Sequence, residues 1–347
     1  ESDPADALLR LVACPDLSSR RWIWEQYDHL VMGDTAQRPG GDAAVVRVRG
    51  TAKGLALATD CTPRYCAADP RRGGAQAVAE SWRNLTAVGA RPLALTDNLN
   101  FGNPERPEVM GQFVGCIEGM RAACLALDYP VVSGNVSFYN ETSGKGILPT
   151  PVIGGVGLIA DAAAAMTLAF KAPGETILLL GETRGHLGCS LYLREIVGRE
   201  AGPPPPVDLA AERRTGDFVR GLIEAGRITA CHDLSDGGML VALAEMAMAG
   251  GLGAAVARAG KPATISWLFG EDQGRYLVTA AEAAAIVAAA AAAGVAVEAV
   301  GTTGGGALTL PSRRTISVAE LKKAHEGWLP QYMGAAGTAG ERDRTWR

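Results

Sequence analysis

Along this chain the spacing of apolar positions switches between three-to-four and two, and each switch marks an element. Residues 4–12 and 18–27 repeat at helical spacing, the first behind Ser2 or Asp3 as cap and the second carrying Trp22 and Trp24 for tight helix packing. Residues 43–48 and 54–59 alternate instead, with a basic turn between them, and predict a hairpin ending at Asp60. Helical spacing returns over residues 74–88 and closes at Gly89, before a strand at 93–95. A longer helix over 107–127 carries Met110, Phe113, Val114, Ile117 and Met120 as one stripe, which predicts a core face. Strands at 131–137 and 152–159 follow.

A polar stretch at 161–176 then separates two strong strands and reads as a boundary. Beyond it come a strand at 177–180, helices at 190–197 and 209–224 around a proline-rich surface loop at 203–206, and a strand at 228–230. A helix at 239–248, a strand at 253–257, an alanine-rich helix at 280–293 and strands at 295–300 and 307–310 complete the pattern. The tail beyond Gly334 is expected to fray. These elements predict a two-domain α+β protein (mixed α/β) with mixed sheets. Residues 1–33 read as an N-terminal helical linker, 34–165 as the first domain, 166–312 as the second, and 313–347 as a C-terminal helix and tail.

At 347 residues the chain exceeds what one core usually organises, so composition agrees with two domains. Hydrophobic residues make up 48% and charged residues 20%, which excludes disordered and fibrous classes. The formal charge of −4 offers no footprint for nucleic acid or an anionic membrane. Neither a membrane-length apolar run nor a signal-peptide pattern occurs, so the expectation is a cytoplasmic protein. A start on Glu1 rather than Met is expected of a segment of something longer. The seven cysteines form no CxxC pair and no zinc spacing, and read as reduced, mostly buried hydrophobes.

The densest chemistry lies in SGNVSFYNETSGKGILPTPVIGGVG, from Ser133 onward. Side chains two apart on a strand share a face, so Asn135 and Ser137 would project together, and Gly134 would let a ligand approach the backbone. An amide oxygen suits Mg²⁺, which takes oxygen ligands and binds through few protein groups plus substrate phosphates. Taken alone, Ser, Gly and Asn after an apolar run read first as turn residues. A second strand, in RPLALTDNLNFGNPE, also ends in polar residues, Asp97 and Asn98. Two such strand ends point to a shared crevice in which Asp97 and Asn135 converge on a metal-bound triphosphate.

Four segments, ATDCTPRYCAADP, GGAQAVAESWRNLTAVGARPLALTDNLNFGNPE, the Ser133 run and HDLSDGGMLVALAEM, resemble in order and spacing the second half of the phosphoribosylformylglycinamidine synthases. The resemblance covers residues 34–310 and extends to the superfamily of aminoimidazole ribonucleotide synthetase, selenophosphate synthetase and thiamine-phosphate kinase. It implies an aminoimidazole ribonucleotide synthetase-like fold, with an A domain whose sheet pairs with a partner A domain, and a B domain of mixed sheet and helices. It also implies a ligase in which ATP phosphorylates the amide oxygen of formylglycinamide ribonucleotide and glutamine-derived ammonia displaces phosphate. On this resemblance Asp97 and Gly134 contact ATP, Asn135 binds Mg²⁺ and Ser137 binds substrate; no residue of this chain is catalytic. The implied partners are the N-terminal half of the same enzyme, a glutaminase subunit and a small accessory subunit, with a homodimer through the A domain when isolated. A stand-alone homodimeric synthetase and a non-catalytic scaffold remain as alternatives.

Where stand-alone relatives carry DGVGTK with a phosphate-binding Lys, this chain has Asp60 in DCTPRY, and Arg64 is the nearest cation. In HDLSDGG, Asp233 resembles a magnesium ligand of the family's other copy, while Ser235 or Asp236 reads as the N-cap of the next helix. A Ser-His-Asp triad is excluded there, because neighbours on one turn cannot orient one another. Glu271, Asp272 and Gln273 resemble a substrate-holding segment of the first copy and read as a relic or an auxiliary nucleotide site. His29, His186 and His325 read as surface or packing residues, and Gly73 and Gly74 as weak phosphate candidates at a helix start.

Overall fold

The computed structural model describes residues 3–258, 260 and 263–335. The chain opens with α1 (Pro4–Val12) and a single turn, α2 (Arg21–Trp24), then enters a sheet through β1 (Thr35–Gln37), β2 (Ala44–Arg47) and β3 (Gly54–Asp60). Helices α3 (Pro63–Ala68) and α4 (Pro70–Ala87) lead to β4 (Arg91–Asn100), and α5 (Pro107–Leu127) leads to β5 (Val131–Ser137). A small hairpin, β6 (Glu141–Thr142) and β7 (Lys145–Gly146), precedes β8 (Thr150–Ile159). The six long-range strands form one mixed sheet in the order β1-β2-β3-β8-β4-β5, so β5 is an edge.

Among the described residues this sheet is covered on one face only. Along β8 buried and half-buried residues alternate without a break, as expected of a strand packed on one side. The covering helices α4 and α5 cross at close range because glycines face each other: a Cβ on Gly119 would overlap the Arg71 carbonyl, and one on Gly74 the Cys116 carbonyl. The expected apolar stripe of α5 splits. Met120 is buried, whereas Met110, Val114 and Ile117 are exposed, because α5 uses its small residues, not that stripe, to meet α4.

The second sheet contains β9 (Thr176–Leu180), β10 (Ala230–Asp233), β11 (Ala254–Val256), β12 (Tyr276–Ala280), β13 (Val297–Thr303), β14 (Ala307–Thr309) and β15 (Thr315–Ser317). Its order is β10-β12-β9-β13-β11-β14-β15. Helices α6 (Leu209–Glu224), α7 (Gly238–Gly250), α8 (Ile265–Phe269), α9 (Ala283–Ala292) and α10 (Val318–Ala335) surround it. Both faces are buried: Ile177 and Leu179 join one core with α1 and α7, while Leu178 and Leu180 join another with α6 and α9. That explains why β9 reads as an unbroken apolar run.

Four sequence expectations are corrected here. Residues 1–33 are not simply a linker, since Leu8 and Leu11 of α1 are fully buried in the second domain's core. The second helix spans only four residues, and Trp22 is exposed rather than tightly packed. Residues 192–197 form a wide π-helical turn, and the strand expected at 228–230 lies at Ala230–Asp233 instead. All seven cysteines are free. From residue 336 onward the expected frayed tail lies outside the described residues.

Candidate functional site

Strands β4 and β5 run parallel with Asp97 opposite Gly134, Asn98 opposite Asn135 and Asn100 opposite Ser137. Side chains of paired residues share a face, and the face changes at each step. Leu95 and Leu99 are buried against the helices, so Asp97 and Gly134 belong to the helix side, while Asn98, Asn100, Asn135 and Ser137 line the open side. The expected convergence of Asp97 and Asn135 on one face is therefore corrected: their side chains, on neighbouring strands, lie on opposite faces of the sheet. The space above Gly134 is also not left for a ligand, because a Cβ there would overlap the Asp97 carboxylate. Asp97 instead accepts a hydrogen bond from the Asn135 backbone N–H, and burial pushes its pKa up against that bond. One carboxylate thus fixes the backbone of the residue that carries the amide.

The open side forms a row. Asn100 donates from Nδ2 to the Asn98 carbonyl at 3.0 Å and to Asn98 Oδ1 at 2.6 Å, and Asn140 donates to the Ser137 carbonyl at 2.9 Å. These bonds hold neutral oxygen and nitrogen groups at the free edge of the sheet, where β5 is exposed along nearly its whole length.

A second constellation occupies a cleft of about 770 Å³ between the domains, with Asp42, Asp60, Glu80, Asn84, His232, Asp233, Asp236 and Glu245 in its walls. Asp42, His232 and Asp233 offer ligand atoms within 4.8 Å of one another. The imidazole is engaged at both nitrogens, 2.8 Å from Asp42 and 3.0 Å from Glu245. Burial opposes its charge, but Asp42 and Glu245 outweigh burial and lift the His232 pKa well above its ordinary value. With both nitrogens held by carboxylates, His232 ties Asp42 of the first domain to Glu245 of α7. Two buried oxygens, Asp42 Oδ2 and Asp60 Oδ2, have no hydrogen-bond partner, and unpaired carboxylate oxygens fit a hard divalent cation.

Beneath the cleft floor lies Arg83, fully buried, a residue the sequence pattern had placed in an unremarkable helix. It donates to Asp233 at 2.9 Å, to both oxygens of Glu212, to Glu80 and to Gln273 at 3.0 Å. A parallel latch joins α3 to the second domain: Arg64 pairs with Asp236 at 2.5 Å and Glu271 at 3.0 Å, and Tyr65 donates to Glu271. The expectation that Ser235 or Asp236 caps α7 is overturned, because the N-cap is Gly237 and no side chain caps it. The segment from Glu271 is spent on structure: Glu271 also accepts from the Leu191 and Gly237 N–H groups, and Asp272 from those of Gly185 and His186. The Glu80–Asn84 pair, one helical turn apart and facing Asp60, was the signal available in sequence.

Asp60 supplies a pH test. Burial and then Asp233 push its pKa up to about 8 from an ordinary 3.8, against Arg83 and the Asn84 hydrogen bond. A folded-state pKa raised above the unfolded one gives stability that is complete below about 4 and is lost as pH rises toward 8. Asp60→Asn should therefore stabilise the chain increasingly between pH 4 and 8, as read by denaturant midpoints at fixed pH. At pH 8, Mg²⁺ should stabilise the native chain more than Asp60→Asn.

Residues 40–159 match the family AIR synthase related protein, N-terminal domain, and residues 172–310 its C-terminal domain. A phosphoribosylformylglycinamidine synthase subunit PurL from Parvibaculum lavamentivorans is 65% identical over 338 residues, covering 95% of this chain and 45% of the relative. The Azorhizobium caulinodans subunit is 66% identical over 335 residues, with the same coverage of 95% and 45%. This chain spans less than half the length of those relatives. Among solved structures, Thermotoga maritima PurL complexed with FGAR superposes with a TM-score of 0.73 at 20% identity, over 94% of this chain and 54% of that one. Thiamine monophosphate kinase from Aquifex aeolicus gives 0.55 at 18% identity, over 80% and 94%. Among the described residues no helix is long and apolar enough to cross a membrane. With both domains matched in order and close relatives along nearly its whole length, the chain belongs to the AIR synthase related family, on the branch of the phosphoribosylformylglycinamidine synthase subunits.

Proposed function

We propose that this chain is the ATP- and Mg²⁺-binding half of a cytoplasmic ligase that converts formylglycinamide ribonucleotide, ATP and glutamine-derived ammonia to formylglycinamidine ribonucleotide, ADP and phosphate. The observation that carries the reading is the polar row at the free edge of β5, on a sheet face that none of the described residues covers, in a protein so close to that enzyme's subunits. Asn135 holds Mg²⁺ and Ser137 the ribonucleotide on the open side, while Asp97 and Gly134, expected to contact ATP, support that site from behind: Asp97 fills the space over Gly134 and accepts the Asn135 N–H. Mg²⁺, when bound, neutralises phosphate charge; the chain's own residues bind and orient.

The half that supplies catalytic groups covers the open face, and glutaminase and accessory subunits deliver ammonia. Assaying with ammonia as nitrogen donor tests this: the chain alone should turn over poorly, and adding the other half should restore activity. Substantial turnover by these 347 residues alone would overturn the reading. Leu55, Leu57 and Leu93 remain exposed, and an uncovered sheet with a free edge invites self-pairing. Light scattering of the isolated chain should report a homodimer, and a monomer at high concentration would refute that pairing.

A second reading concerns the cleft. The unpartnered oxygens of Asp42 and Asp60 favour an auxiliary magnesium-nucleotide site over a mere relic. The Mg²⁺ arm of the Asp60→Asn experiment separates the two.

A further inference from the structure

Asn98 has no assigned role, yet it is the direct cross-strand neighbour of Asn135 on the open face. Its amide is oriented. Asn100, two residues on and on the same face, donates from Nδ2 to Asn98 Oδ1 at 2.6 Å and to the Asn98 carbonyl at 3.0 Å, and reaches the Thr150 carbonyl of β8 at 3.5 Å. With its oxygen occupied, Asn98 presents its NH₂ outward, and among the described residues no acceptor engages that group. Two N–H donors are thus held beside the Asn135 amide, on an exposed sheet surface with no carboxylate in the same row: Thr96, Asn98 and Asn100 on β4, and Ser133, Asn135 and Ser137 on β5. Oxygen acceptors at Asn135 suit a cation, and N–H donors next to them suit the anion that accompanies it.

We propose that Asn98 is a nucleotide-binding residue that donates hydrogen bonds to a phosphate oxygen of the metal-bound nucleotide, and that Asn100 is its positioning residue. The inference rests on the function proposed for Asn135. The test uses the full-length enzyme and isothermal calorimetry with a non-hydrolysable ATP analogue and Mg²⁺, with formylglycinamide ribonucleotide titrated separately. Asn98→Asp keeps the shape but sets a carboxylate against phosphate, and should weaken analogue binding about 10- to 100-fold while leaving ribonucleotide binding unmoved. Asn98→Ala should lose less. Asn100→Ala should weaken analogue binding in the native background and add nothing in Asn98→Ala, a non-additivity that a merely structural role would not produce. Asn98 is exposed and Asn100 half-buried, and equal melting temperatures would exclude misfolding as the cause.

Analogue affinity unchanged in Asn98→Asp, or a loss confined to the ribonucleotide, would overturn the assignment. Asn135→Ala run in parallel separates the two readings. If it weakens Mg²⁺-dependent binding while the Asn98 variants do not, only the present inference fails; if neither matters, the proposed function fails with it.

Discussion

Arg83→Ala is expected to cost about 3–5 kcal/mol of stability, a large share of the roughly 5–15 kcal/mol that holds a domain together. The guanidinium joins α4 of the first domain to Glu212 of α6 and Asp233 of β10 in the second, and Glu80 and Gln273 complete its shell. Burial opposes its charge, but Glu212, Glu80 and Asp233 outweigh burial and keep it protonated. Truncation would leave three carboxylates in a site where burial already pushes Glu80, Glu212 and Asp233 upward in pKa. Those groups would take up protons or unfold the interface. Arg83→Met paired with Glu212→Gln removes the cation together with one anion and should lose markedly less. Urea unfolding of the three proteins checks this, and equal losses would show that packing of the side chain, not its charge, is what matters.

The interface built by Arg83 also shows where sequence reading stopped. Periodicity located the hairpin β2–β3, which pairs antiparallel from Ala44↔Leu57 to Arg47↔Gly54, because alternation over short runs leaves few other choices. It located β9 for the same kind of reason, since TILLL must be covered on both sides. Local pattern cannot say which distant carboxylates meet. Arg83 lies mid-helix in SWRNLT, and its partners come from residues 80, 212, 233 and 273. Asp236 read as a cap because it precedes a helix, but Arg64, 172 positions away, claims it. The β4–β5 site was legible as residues and not as geometry. Asn135 and Ser137 share a face as the spacing of two requires, and Asp97 shares one with Leu95 and Leu99, whereas the face of β5 on which Asn135 falls relative to Asp97 depends on the extra residue, Val132, that only the pairing reveals.

Asn135→Ala in the full-length enzyme should reduce turnover by 10²-fold or more, about 2.7 kcal/mol, if its amide oxygen holds the cation that neutralises the transferring phosphate. The loss should shrink as Mg²⁺ is raised, because a weakened site fills by mass action. Asp97→Asn has a different signature. Asp97 accepts the Asn135 N–H from the helix side, so an amide there keeps one acceptor oxygen but removes the charge behind the Asn135 backbone. Its loss should be insensitive to Mg²⁺ and should appear with the Asn135 side chain intact. Saturating Mg²⁺ curves for both variants decide the matter. If both losses respond equally to Mg²⁺, the two faces act as a single cation site despite their separation across β5. If neither variant loses activity, the polar edge of this half is only a docking surface.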